Sequence, residues 1–399
     1  MSTLVQPAYP YISVSIDTSG LVPVAQRSPG VVAVVGNAAA GVVAPAETPV
    51  QVTDHDSVMN AFAAGNAANP LTTSLDLVLA QDPGPSTVYG VATSGADSYA
   101  AALASLEAAD DVTFVCLAGE TAVGTPTSGS TAASGLTALK EHVEEMSAAG
   151  NKQMAVAMIN PETAKSATYV TDVLAAASYG ALMSDDGRMI LIAARSATTN
   201  PADPSANVAD AAAAAMGAIA GYPPNTSVVL KQVRGFTMPV ADQYTPAEIS
   251  GLAGAGVIPL IDPALIPGSG LYFADGGTFS ADPARNYVDI VRVLDDIEFQ
   301  LRAGLIGAIG DSRITKAGLT SVRVRVEGIL GPLQQAAVID DFSVVIPLLS
   351  ILSVPESSLS AADSAQVVTA RSTRQVTVLI SITYGPAIHR LNVTLSPQF

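Results

Sequence analysis

The chain has 399 residues, enough for two or three domains with a core each. It is 49% hydrophobic and only 13% charged, well under the roughly 25% usual in soluble proteins. Its formal net charge of −17, with no basic cluster, argues against nucleic acid as a direct partner. A chain so poor in charge needs another cover for its apolar surface, and burial between the subunits of a permanent assembly supplies one. The single cysteine, Cys116, excludes an internal disulfide and a cysteine-built zinc site. Set in the apolar run VTFVCLAG, it reads as a small core residue. Residues 1–20 lack the basic start and compact apolar core of a signal peptide. The longest apolar runs, such as SVVIPLLSIL, reach about half a membrane span. The expectation is a chain made in the cytoplasm that inserts in no membrane.

Residues 1–10, with Pro7 and Pro10, read as an extended arm. Tyr11 opens YISVSID, where Ile12, Val14 and Ile16 alternate with Ser13, Ser15 and Asp17, a strand signature with no nearby hairpin partner. Such a strand either edges its own domain or adds to the sheet of another chain. From Gly30, GVVAVVGNAAAG predicts a buried strand and a glycine-bounded loop. The spacing Gly36-x-x-x-x-Gly41 suggests a phosphate loop, but Val42 and Val43 stand where Lys and Ser/Thr are required. Gly119-x-x-x-x-Gly124, followed by Thr125 and Pro126, fails in the same way, so both pairs read as turn glycines. Helical segments follow at Asp54–Gly65, Leu71–Ala80, 97–108, SGLTALKEHVEEMSAAG and ETAKSATYVTDVLAAAS. Between them lie the strand-like STVYGVAT, VTFVCLAG, QMAVAMIN and MILIAAR. This alternation, from residue 30 to about 195, argues an α/β domain with a partly parallel sheet.

A loop over 196–210 leads to an Ala-rich helix that stops at Gly221, Pro223 and Pro224. A short helix capped by Thr245, with Pro246 in its first turn, runs into another strand. LYFADGG then reads as a strand and tight turn, and Ser280, Asp282 and Pro283 as the start of a long helix. On it Tyr287, Val291, Leu294, Ile297 and Leu301 share an apolar face, while Asp289, Arg292, Asp295, Asp296, Glu298 and Arg302 fill the other side. A second long helix, in DSRITKAGLTSVRVRVEGILGPLQQ, aligns Ile314, Val322, Val326, Ile329 and Leu333. AVIDDFSVVIPLL and a Ser/Ala-rich loop at Ser357–Ser364 come next. RQVTVLISITYGP then sets Val376, Val378, Ile380, Ile382 and Tyr384 along one face of a long half-buried strand. Gly385 and Pro386 break it, and Ala387–Leu395, with Ile388, Leu391 and Val393, forms a last strand on an exposed tail.

A search for chemistry yields no catalytic, cofactor-binding or metal-ligating residue. His55, His142 and His389 lack metal-ligand spacing, and His142, among Glu141, Glu144 and Glu145, reads as part of a solvated helix face. No Gly-x-Ser-x-Gly elbow is present. Asp54 and Asp56 flank a helix start, where carboxylates suit the helix dipole. The pairs Asp185–Asp186, Asp295–Asp296 and Asp340–Asp341 read as solvated charge. A rival reading, an α/β ligand-binding protein or enzyme built on residues 30–260, would rest on distant residues converging.

Taken in order, several short motifs resemble contractile tail sheath proteins, the family of contractile phage tails, R-type bacteriocins and related injection devices. They are the Pro–x–Ile–x–Val–x–x–Asp start at Pro10–Asp17, the Gly–Val–x–x–Val–Val–Gly strand at Gly30–Gly36 and the Pro–Val–x–Val–Thr segment at Pro49–Thr53. The series continues with Ala220–Pro224, Thr245–Glu248, Gly256–Ile261, the aromatic–Gly–Thr segment at Leu271–Thr278 and the Asn–Tyr–Val helix after it. The resemblance implies a mixed α/β fold: an N-terminal arm (1–25), an outward α/β region (26–270), a tube-facing domain of long helices and a small sheet (271–385), and a C-terminal arm (386–399). It implies hexameric rings stacked around an inner tail tube, with baseplate and terminator partners, in a virion tail or injection particle assembled in the host cytoplasm. Strands Tyr11–Ile16 and Ala387–Leu395 would be donated to neighbouring subunits, and Gln375–Tyr384 would accept them. Arg323 and Arg325 are candidates for the tube contact. Tail tube and baseplate subunits, the nearest structural alternatives, are usually shorter and dominated by β-structure.

Overall fold

The computed structural model describes residues 28–389 apart from 29, 39–41, 96–97, 110, 127–132, 176, 204–206 and 269. The arm strand Tyr11–Ile16 and the tail residues Leu391 and Val393 lie outside the described residues. The first part of the chain forms β1 (Val31–Gly36), β2 (Val50–Val52), α1 (His55–Phe62), α2 (Pro70–Leu79), β3 (Thr87–Ala92), α3 (Tyr99–Ala104), β4 (Phe114–Leu117), α4 (Gly135–Ala149), β5 (Met154–Met158) and α5 (Tyr169–Val173). It continues through β6 (Met189–Ala193), α6 (Ala211–Ala220), β7 (Gln232–Val233), α7 (Pro246–Gly254), β8 (Val257–Ile261) and β9 (Leu271–Phe273). These strands make one nine-stranded sheet in the order β2-β3-β1-β4-β5-β6-β8-β9-β7. The run from β3 to β8 is parallel, and antiparallel β2, β9 and β7 finish its two edges.

The apolar runs read from the sequence explain this sheet. β1, β4, β5 and β6 are buried along their whole length, as parallel strands covered on both faces must be. Helices α2 and α6 lie together on one face, and α3 and α4 on the other. All ten residues of α6 are buried, and their small side chains let it pack close to the strands. Cys116 sits in this core, fully buried, its thiol pushed well up by desolvation. Gly119 and Gly124 have positive φ (+64° and +79°), and a Cβ at Gly124 would collide with the Ser134 carbonyl, so both serve turns as expected.

Capping residues mark several helix starts. Asp54 and Ser57 form a reciprocal capping box on α1, Asn69 and Thr72 on α2, and Thr245 and Glu248 on α7. Asp210 caps α6 by accepting from the Ala213 amide at 2.9 Å, and its other oxygen accepts from the Ser74 hydroxyl at 2.6 Å and the Gly119 amide at 2.8 Å. That buried carboxylate therefore fills the carboxyl end of β4, the side at which open α/β sheets usually take ligands.

The chain then enters α8 (Val288–Leu305), α9 (Lys316–Gln335), β10 (Asp341–Val345), α10 (Pro347–Leu352), α11 (Ala361–Thr373) and β11 (Leu379–Thr383). β10 and β11 pair antiparallel as a separate two-stranded sheet. Two further cores form here. One holds Val293, Ile297, Val326, Leu330, Ile339 and Val344, and the other holds Leu319, Ile346, Leu348 and Val367. Because β9 belongs to the large sheet and Val288 and Val291 to its core, the expected division at residue 270 runs through the α/β body. The cores part within α8.

Several expectations need correction. Asp282 caps only a 3₁₀ turn, Pro283–Arg285, and α8 starts later, after Tyr287, with no side-chain cap. The helix expected in ETAKSATYVTDVLAAAS shrinks to α5. The expected loop Ser357–Ser364 runs into α11, capped by the Ser360 hydroxyl, which accepts from the Asp363 amide. The long strand expected over Gln375–Tyr384 is in the ladder only at Leu379–Thr383. Leu294, placed on the apolar face of α8, is exposed. His142 is buried, because α4 turns it toward the sheet, and desolvation lowers its pKa below the ordinary histidine value.

The sign of that shift fixes a pH dependence. The unfolded chain takes up a proton near pH 6.5 and the folded chain only below that, so stability is full above about 6.5 and falls as pH drops through this window. Thermal melts between pH 7 and 5 should show a falling Tm in the wild type and a flatter profile in His142→Phe. Equal slopes would contradict a neutral buried His142.

Candidate assembly interface

α8 joins the two parts of the molecule, and it does so with its charged face. Of the side chains that fill its charged side, Arg292, Asp295, Glu298 and Arg302 point at the amino ends of β4, β5 and β6. Asp289, Arg292 and Gln300 are buried. Arg188, just before β6, makes a two-pronged pair with Asp295, its nitrogens 2.5 and 2.9 Å from the carboxylate oxygens. Arg292 donates to the carbonyls of Tyr222 (2.6 Å) and Pro223 (3.3 Å) and lies 5.4 Å from the centre of the Phe114 ring. Burial lowers its pKa to about 10, so it stays charged at neutral pH. Lys152 pairs with Glu298 at 3.3 Å, and Arg302 donates to the Gly150 carbonyl at 2.9 Å. The expectation of solvated charge at Asp295 is thus overturned. Asp185 and Asp186 are exposed as expected, with Asp186 in a surface pair with Arg285.

The opposite, apolar side of α8 covers the small sheet. Leu301 and Leu305 pack with Ile380, Ile382 and Tyr384, while Val376 and Val378 turn toward α9, α10 and α11. The predicted alternation of Val376, Val378, Ile380, Ile382 and Tyr384 toward the interior is therefore present, although only part of it lies in a ladder. A hollow of about 660 Å³ remains beside it, lined by Leu294, Leu301, Leu305, Ile309, Ile380 and Ile382. Ile306 and Ile309 are largely exposed at its rim. Among the described residues, β10 and β11 each pair on one side only. Arg323 and Arg325 lie on the exposed face of α9, where Arg323 donates to Glu327 at 2.7 Å one turn on. Ile388 is 81% exposed, and residues 384–389 are in no strand.

Charge is divided unequally between the parts. Most of the 35 acidic side chains, but fewer than half of the 18 basic ones, fall between residues 30 and 270. Residues 306–389 carry equal numbers of each. The α/β body is therefore the acidic part, and the region around the small sheet is nearly neutral. Among the described residues no cluster of His, Cys, Asp and Glu is arranged to hold a metal ion, and no helix is long and apolar enough to cross a membrane.

No protein-family model matches this sequence, and no curated protein matches it by sequence comparison. Comparison of structures gives a different result. The sheath of an extracellular contractile injection system, PVC, in its contracted state superposes with a TM-score of 0.67, covering 98% of this chain and 98% of that one at 14% identity. The chain has the contractile sheath fold. The contracted helical sheath of the anti-feeding prophage gives 0.64 over 98% and 99% of the two chains at 13% identity. A sheath tail protein from Desulfitobacterium hafniense gives 0.57 over 84% and 93% at 12% identity. The sheath fold explains why the α/β body and the unit built on α8 come as a pair, since both lie inside the matched length.

Among the residues that position this unit, Arg188, Lys152 and the Tyr222–Pro223 carbonyls had no sequence signal of their own. The signal lay in α8, where charged residues recur at three- and four-residue spacing as regularly as the apolar ones. Removing one partner of the Arg188–Asp295 pair should leave a buried charge unpaired. Asp295→Ala is expected to destabilise the chain by about 3 kcal/mol in denaturant titrations, and the double change Arg188→Met with Asp295→Leu by much less. Equal losses from the two would mean that the pair contributes only packing.

Proposed function

We propose that this protein is the subunit of a contractile sheath, polymerising as stacked hexameric rings around an inner tube and contracting to drive that tube through a target envelope. The observation that carries this reading is the match of the sheath fold over 98% of the chain, the small sheet and its supporting helices included. An open-edged two-stranded sheet beside an uncovered apolar hollow supports it further, because such a sheet can take strands from other chains. In this reading Tyr11–Ile16 of one copy and Ala387–Leu395 of another extend the sheet of a third along the Gln375–Tyr384 edge. Their donors are Ile12, Val14, Ile16, Ile388, Leu391 and Val393. Backbone hydrogen bonds hold such a mesh whatever the side chains, so subunits stay linked while they rotate. The extended sheath is a trapped state, and a small free-energy difference per subunit adds up over many copies.

The arms and the small sheet are one working unit here, α8 to β11 with residues 1–25 and 386–399, facing the tube, and the α/β body, β9 included, faces outward. The exposed face of α9, with Arg323 and Arg325, is the tube contact, polar and therefore releasable. Baseplate and terminator proteins close the two ends of the stack in a virion tail or injection particle. Such a subunit needs no catalytic centre or cofactor.

Negative-stain electron microscopy of the purified chain tests the reading directly. Hollow tubes from the full chain, and rings or monomers from a version lacking residues 1–18, are the expected result. A compact small oligomer from the full chain, with its tube protein and without it, would overturn the proposal.

A further inference from the structure

The chain leaves the small sheet at Tyr384 and is caught twice before residue 390. At the first point the Tyr384 hydroxyl donates to Asp289 at 2.7 Å, and Asp289 is 3% exposed in the first turn of α8. The second point is His389. Its ring stands edge-on to Tyr287, with centroids 4.8 Å apart and planes at 87°, and its Nε2 lies 2.8 Å from the Ser227 hydroxyl. Tyr287 immediately precedes α8, so both catches fall within one helical turn of each other, where the helix meets the α/β body. That spot is itself fixed: the Val288 amide donates to the Gly276 carbonyl at 2.9 Å, and Gly277 bridges Tyr287. Between the catches, residues 385–388 run in no regular element and Ile388 projects into solvent.

We infer that Tyr384 and His389 form a two-point clamp that holds residues 385–388 on the α/β body and so fixes the place from which the C-terminal arm departs. The inference rests on the proposed donation of that arm to a neighbouring copy, adds its point of origin, and narrows the donated part to the residues after His389, Leu391 and Val393 among them. A tail free from Tyr384 onward would start from the small sheet and search a wide volume. A tail held at His389 starts from the rigid body, and its ordering is complete before the neighbour arrives. Preorganisation of this kind lowers the cost of association. The receiving strand and the departing arm are thereby kept apart within one copy, although only a few residues separate them in sequence. Tyr384 and His389 are positioning residues here: they touch the chain's own body, and the segment they aim makes the contact.

The test uses the full chain with Ile388→Cys carrying a nitroxide label. Cys116 is fully buried and its thiol is pushed well above the ordinary value, so it does not compete for the label. The label should give a slow, anisotropic spectrum in this background and a fast, isotropic one when His389→Ala or Tyr384→Phe is added. Thermal melts of the two variants serve as the folding control. A label equally mobile with and without these changes would overturn the clamp. In unlabelled protein, His389→Ala should raise the concentration needed to form tubes about tenfold, roughly the ordering cost of one or two side chains. Tubes at an unchanged concentration would overturn its role in aiming the arm. If the wild type forms no tubes at all, the sheath reading fails, and the spectra still decide the clamp on their own.

Discussion

Everything in this molecule hangs on the way α8 spends its two faces. An amphipathic helix normally turns its charges to water, and here they are turned to protein. Asp295 meets Arg188 and Arg292 meets the Tyr222 and Pro223 carbonyls, all at the amino ends of the parallel strands. The apolar face is thereby left for a second purpose, the support of β10, β11 and α9. One helix thus belongs to two cores, and the orientation of the small sheet relative to the α/β body follows from a row of charge-assisted hydrogen bonds. Such bonds are directional. A purely apolar seam could slide, whereas a two-pronged arginine–carboxylate pair fixes an angle as well as a distance.

The location of this joint also bears on the rival reading. Doubly wound sheets present ligands with their carboxyl ends, and here Asp210 fills that position beside β4, sharing itself among Ser74, Gly119 and Ala213. The opposite ends of the strands carry α8. The feature that matches known sheath structures is the combination of this closed α/β body with the appended unit, and the matched length includes both.

Much of this was legible in the chain. Fully apolar runs gave the parallel strands, and Asp54 and Thr245 with Pro246 gave true helix starts, because these signals depend on a few neighbouring residues. Glycine spacing was correctly dismissed as turn geometry at Gly119 and Gly124. What the sequence hid was the environment of polar groups. His142 has acidic neighbours along the helix at 141, 144 and 145, yet its own direction is set by α4 packing on β4 and β5, which no local window contains. The same holds for Asp289 and Asp295, whose partners come from just after β11 and from the turn before β6. α11 was missed because Ser and Ala at its start resemble a loop, and its one well-buried apolar contact, Val367, offers no periodic stripe.

The unequal division of charge has a consequence of its own. Acidic α/β bodies brought side by side repel one another, while the neutral units around β10 and β11 do not. In an assembly that brings these bodies together, the repulsion acts as an outward pressure on the periphery, resisted by contacts nearer the centre. Dissolved salt weakens it, since the Debye length shrinks to about 8 Å at physiological ionic strength. Ionic strength then becomes a control on how closely the outer layer can crowd, independent of any contact made by the inner one.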